Sequence, residues 1–137
     1  MIIGLGSDIV NIQRMVDLIK RHPQRAFNKI LSKKEHSDLS LIKKEDLIKQ
    51  ATFLAKRFAA KEACVKALGT GFRNGIKFSD IIVSHDPLGK PLLILENKAK
   101  LFLDEKINKG FRPQIDITLS DDFPIAQAIV IFSIVKN

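Results

Sequence analysis

The sequence predicts an α+β fold: one domain over residues 1–137, with an antiparallel sheet packed on a long central helix. Three observations lead there. A chain of 137 residues with 45% apolar and 28% charged side chains has the size and composition of a single folded core. One unbroken helical pattern occupies residues 45–68. Around it the segments read strand, helices, hairpin, helix, hairpin, an order that favours antiparallel pairing.

Residues 2–10 are apolar and carry glycines, which predicts a buried strand ending near Asp8. Residues 11–44 cluster lysine and arginine and are broken at Pro23, so they read as two or three short helices with one basic, solvated side. The long helix closes at Gly69, a C-cap followed by the flexible Gly69-Thr70-Gly71 sequence. Residues 76–84 and 91–95 read as strands around the turn-rich Asp86-Pro87-Leu88-Gly89-Lys90. Asn97 is placed to cap a helix through about residue 108, with Gly110 and Pro113 marking its end. Residues 115–119 and 125–135 complete the second hairpin.

With 23 Lys and Arg against 15 Asp and Glu, the formal charge of +8 favours anionic partners. Tyrosine and tryptophan are absent, so the Phe residues read first as core and no base-stacking platform is expected. The single Cys64 has no internal disulfide partner and no zinc-ligand spacing, consistent with a reducing compartment. The first ten residues lack the pattern of a cleavable leader, and no apolar run is long enough for a membrane span, so a cytoplasmic location is the expectation.

On the long helix, Leu54, Phe58, Glu62 and Val65 share one stripe, which sets a carboxylate in an otherwise inward-packing row. It needs a partner. Lys66, four residues on, offers a local ion pair; the alternative is a metal shared with a second carboxylate. Strand alternation places Gly4, Gly6 and Asp8 on one face, leaving room for a ligand or a closely packed helix. Asp8 suits either a metal or the cap of the following helix. Mg²⁺ takes oxygen ligands, commonly one or two carboxylates with waters and substrate phosphates, so two such carboxylates would suffice. Arg57, Lys61 and Lys66 would balance phosphate charge, and Thr70 with its flanking glycines would offer N–H groups. The plainer readings are a solvated helix face for the cations and a helix stop for the glycines.

Gly4-Leu5-Gly6-Ser7-Asp8-Ile9, followed by Arg14, resembles the opening of the bacterial holo-[acyl-carrier-protein] synthases, members of the 4′-phosphopantetheinyl transferases. Arg57-Phe58-Ala59-Ala60-Lys61-Glu62-Ala63, continued by Lys66, Gly69 and Gly71, resembles their second signature, and Gly89-Lys90-Pro91 fits their hairpin. The resemblance implies transfer of the 4′-phosphopantetheine arm of coenzyme A to a serine of apo-acyl carrier protein, releasing adenosine 3′,5′-bisphosphate in support of fatty acid biosynthesis. It implies Mg²⁺ on Asp8 and Glu62, a catalytic Lys66, and coenzyme A held by Arg57, Lys61, Gly69, Thr70, Gly71 and Lys90. It also implies homotrimers with active sites at subunit interfaces. The acidic carrier would dock on Arg14, with Arg21 and Arg25, and with Lys20 and Lys29, as extensions of one basic surface.

Many relatives carry a Ser-Ile-Thr-His-like stretch on the penultimate strand; here Leu119 falls where that histidine is expected, so the proton acceptor is unassigned. His22, His36 and His85 read as ordinary surface residues. Two other classes compete: a nucleic-acid-binding module, resting on charge alone, and a Mg²⁺-dependent phosphohydrolase using the same carboxylates.

Overall fold

A computed structural model describes all of residues 1–137. Strand β1 (Ile2–Asn11) leads into α1 (Ile12–Arg21), α2 (Pro23–Ile30) and α3 (Lys33–Leu39), and then into the central helix α4 (Leu47–Leu68). There follow β2 (Ile81–His85), β3 (Pro91–Leu95), α5 (Asn97–Asp104), β4 (Phe111–Asp122) and β5 (Ile125–Lys136). Two antiparallel sheets form, one ordered β1-β5-β4 and one β2-β3. No helix is long and apolar enough to cross a membrane.

The local signals explain the helix ends. Asn11 caps α1 by accepting from the Gln13 N–H at 2.8 Å, Pro23 opens α2 and Ser32 with Glu35 forms a capping box on α3. Asp46 caps α4, and Gly69 ends it in the left-handed region at φ 80°. Since Asn11 does the capping, Asp8 is free of that job.

Helix α4 lies across the inner face of the three-stranded sheet, and Leu54, Ala59, Ala63, Val65 and Leu68 meet Val130, Phe132, Ala126 and Ala128 in one core. Its approach to β1 is unusually close. A Cβ on Gly4 would lie 2.2 Å from the Ala67 carbonyl oxygen, and one on Gly6 only 1.9 Å from that of Ala63. The glycine face of β1 therefore receives the helix, and the space beside Asp8 is filled by backbone.

Four sequence expectations are corrected. Residues 76–80 are not strand: Phe78–Asp80 is a 3₁₀ turn, in which the buried Asp80 carboxylate accepts from the Lys77 N–H and the Asn97 amide. Asn97 is not the cap of α5 but its first residue, at φ 50°, with Glu96 at the cap position. That helix ends at Asp104, short of residue 108. Pro113 lies inside β4, which tolerates it because β4 is an edge strand lacking a partner on one side.

Candidate active site

The close contact of β1 and α4 brings the two carboxylates together. Asp8 sits on the inner face of β1 opposite Ala128, and Glu62 projects from α4 one residue before Ala63, the residue that abuts Gly6. Lys66 does not pair with Glu62, its helical neighbour. Its ammonium donates to Asp8 Oδ1 at 3.1 Å and to the Ser7 carbonyl at 3.0 Å, reaching across to the strand. Glu62 is half-buried without an ion pair; burial first, and then the Asp8 charge, raise its pKa above the usual carboxylate range, against the opposing pull of Lys66 and Arg14. Two carboxylates close enough for the charge of one to act on the other offer the oxygen ligands that a hard divalent cation such as Mg²⁺ takes, provided Lys66 yields or shares Asp8.

Arg14 extends this centre toward α1. Its guanidinium lies 5.5 Å from the Phe58 ring centroid, and Phe58 stacks on Phe78, which stacks on Phe72. Arg14, Arg25 and Lys29 rim a groove of about 280 Å³ floored by Met15, Leu18, Ala26, Phe58 and Phe78. Arg21 opens onto the neighbouring groove with Arg14 and His22, and Lys20 is exposed. The basic helices thus carry apolar ground between their charges, which the sequence pattern of cations alone did not reveal.

The remaining candidates separate. Lys61 is wholly buried, with its ammonium 2.7 Å from Glu35 Oε1 and bonded also to the Ile30 carbonyl, so it is not available to coenzyme A. Burial lowers its pKa, and the Glu35 charge and hydrogen bond oppose that. Arg57 also points to this side of α4, its guanidinium 3.6 Å from the Phe53 centroid and its Nε without a partner. It lines a groove of about 290 Å³ with Ile42, Lys49, Thr52, Phe53 and Lys56. The sequence does not single out Lys49 and Lys56 as groove residues, because lysines at solvated helix positions carry no distinguishing pattern.

The turn after α4 is not an open set of donors: the N–H groups of Gly69, Thr70 and Gly71 all converge on the Val65 carbonyl, at 3.0, 3.2 and 3.3 Å, and the Thr70 hydroxyl bonds to Gly71 O. This corrects the expectation of free N–H groups there. Lys90 is exposed at the end of the β2-β3 turn, beside Asp116, Thr118, Ile129 and Ile131. Those residues alternate with the inward-facing Ile117 and Val130, so Lys90 lies on the far side of the sheet from Asp8. Leu119 is on the inner face in the row of Asp8 and Ala128, two strands from Asp8 or about 10 Å. His85 is exposed at the end of β2; partial burial and the nearby Arg57 charge lower its pKa. Cys64 is buried, its thiol pushed up to about 12 by desolvation.

Residues 4–128 match the model of the 4′-phosphopantetheinyl transferase superfamily, which spans both motifs and the contact between β1 and α4. The chain belongs to the holo-[acyl-carrier-protein] synthase family. A holo-[acyl-carrier-protein] synthase of Nitrobacter hamburgensis is 44% identical over 98% of this chain and 96% of its own length. The crystal structure of the Neisseria meningitidis synthase superposes with a TM-score of 0.81 at 34% identity, covering 97% of this chain and 99% of that one. A Bacillus anthracis synthase in complex with CoA (3′,5′-ADP) superposes at a TM-score of 0.74 with 30% identity, covering 96% of each chain.

Proposed function

We propose that this chain transfers the 4′-phosphopantetheine group of coenzyme A to a serine of apo-acyl carrier protein, yielding holo-carrier and adenosine 3′,5′-bisphosphate for fatty acid biosynthesis in the cytoplasm. The observation that carries the reading is the meeting of Asp8 from β1 with Glu62 from α4, with Lys66 bound to Asp8, in a chain of this family.

In the reaction the serine Oγ forms a bond to the phosphorus that bears the pantetheine arm, and the bond from that phosphorus to the bridging oxygen breaks. Negative charge grows on the equatorial and leaving oxygens. Asp8 and Glu62 would hold Mg²⁺, which supplies charge neutralisation at the diphosphate when bound. Lys66, half-exposed and fixed by Asp8 and Ser7, directs an ammonium toward the same oxygens. Arg57, with Lys49 and Lys56, would take phosphate charge in the separate groove they line. The acidic carrier would dock on α1 and α2 through Arg14, Arg21 and Arg25, seating apolar side chains on Met15, Leu18 and Phe58. Leu119 offers no proton acceptor, so the serine proton would pass to a water, a carboxylate or a substrate phosphate oxygen.

A homotrimer fits the same reading. The outer face of the three-stranded sheet has no layer over it, leaving Leu5 and Ile9 each 64% exposed and Ile125 42% exposed. Lys90 lies on this face, where it would act across a subunit boundary.

Incubation with coenzyme A, Mg²⁺ and apo-carrier, followed by intact-mass spectrometry of the carrier, tests the reaction. A gain of one phosphopantetheine is expected; an unmodified carrier beside an active control sinks the proposal. Release of pantetheine phosphate without carrier modification would favour the phosphohydrolase. Ile9→Glu should convert the trimer to monomer in light scattering.

A further inference from the structure

Lys56 is tied across the molecule. Its ammonium lies 3.0 Å from Asp121 Oδ1, which joins α4 to the end of β4 beside the β4-β5 turn. The two side chains are 28% and 38% exposed, so the pair adds little to stability. Its electrostatic effect falls on the groove that Lys56 lines with Lys49 and Arg57. On the floor, Arg57 is buried with its Nε unpartnered; Glu35 and Asp38 act on it as charges, but Glu35 is already bonded to Lys61. The groove thus has a largely desolvated cation in its lining, and one of the two companion cations is engaged by a carboxylate from another element. An incoming phosphate must displace or share that carboxylate and also meets its negative charge.

We infer that Asp121 is a specificity-determining residue that sets the groove's affinity for phosphate-bearing ligands by occupying Lys56. This rests on the reading that the groove holds the phosphates of coenzyme A. The adenosine 3′,5′-bisphosphate product keeps the 3′-phosphate and the adenosine 5′-phosphate of coenzyme A, while the third phosphate leaves with the pantetheine arm, so a carboxylate acting on the two retained phosphates weakens the hold on both substrate and product.

Calorimetric titration with adenosine 3′,5′-bisphosphate, alongside steady-state transfer, tests the inference. Asp121→Asn should tighten binding and lower KM for coenzyme A by about three- to tenfold at low salt, with kcat not raised and the gain shrinking as salt is added. Lys56→Gln should weaken binding, and in its background Asp121→Asn should change affinity by less than about twofold, since the two act as one unit. Asp121→Ser, read the same way, guards against an effect peculiar to asparagine. Unchanged or weaker binding by a folded Asp121→Asn protein overturns the inference and leaves the transfer reaction standing. A wild-type protein that leaves the carrier unmodified overturns the underlying reading instead.

Discussion

Helix α4 carries two lysine–carboxylate pairs, and they differ in almost every physical respect. Lys61 and Glu35 are fully buried at 2.7 Å, while Lys66 is 54% exposed and its partner Asp8 17%. The first pair closes a gap between α3 and α4: the Ser32 N–H donates to the same Glu35 oxygen, Lys61 also donates to the Ile30 carbonyl, and Glu35 Oε2 is buried without a partner. The second lies at an open edge, beside a third charge, Glu62, that has no ion-pair partner. Burial makes the first pair structural, because any ligand would have to break it in a desolvated site. Exposure and a surplus carboxylate leave the second able to exchange partners, as a binding centre must.

The largest stability effect should come from the buried pair. Lys61→Met leaves Glu35 charged and enclosed without its cation, and should destabilise the fold by about 3–5 kcal/mol in denaturant titration. Transfer per folded molecule should persist; loss of transfer with stability retained would return Lys61 to the active site. Next comes the contact that sets the spacing of the two carboxylates. Gly6→Ala places a Cβ against the Ala63 carbonyl and should cost about 1–3 kcal/mol. It should also reduce transfer, because β1 must move away from α4 and take Asp8 with it. Lys66→Met should be the mildest for stability, within about 1 kcal/mol by thermal melting. Its transfer should nevertheless fall sharply, the reverse of the Lys61 pattern.

Sequence motifs assign Lys61 and Lys66 different roles but not their partners, because those arrive from other elements. Asp8 comes from a strand and Glu35 from a separate helix, and helical spacing reports neither. For the same reason helical spacing offers Lys66 as one possible partner of Glu62 and does not show its bond to Asp8. The carboxylates themselves were legible: Glu62 breaks an apolar stripe, and Asp8 shares a face with two glycines. What those glycines do, accept a helix backbone, became visible only with the helix beside them. The Gly69 cap was read correctly from its position, whereas the folding of three N–H groups onto one carbonyl depends on backbone angles beyond the cap. The long β4 was hidden by Pro113, whose break signal fails on an edge strand.

The central claim is that Asp8 and Glu62 act together as a metal-holding pair for phosphopantetheine transfer. Its most direct test is the Mg²⁺ dependence of transfer by Glu62→Gln, a change that keeps size and removes charge. Wild type should require the metal, and the variant should remain folded by circular dichroism but lose at least about 100- to 1000-fold in rate across the Mg²⁺ titration. A Glu62→Gln protein that modifies the carrier at wild-type rates in limiting Mg²⁺ would contradict the claim.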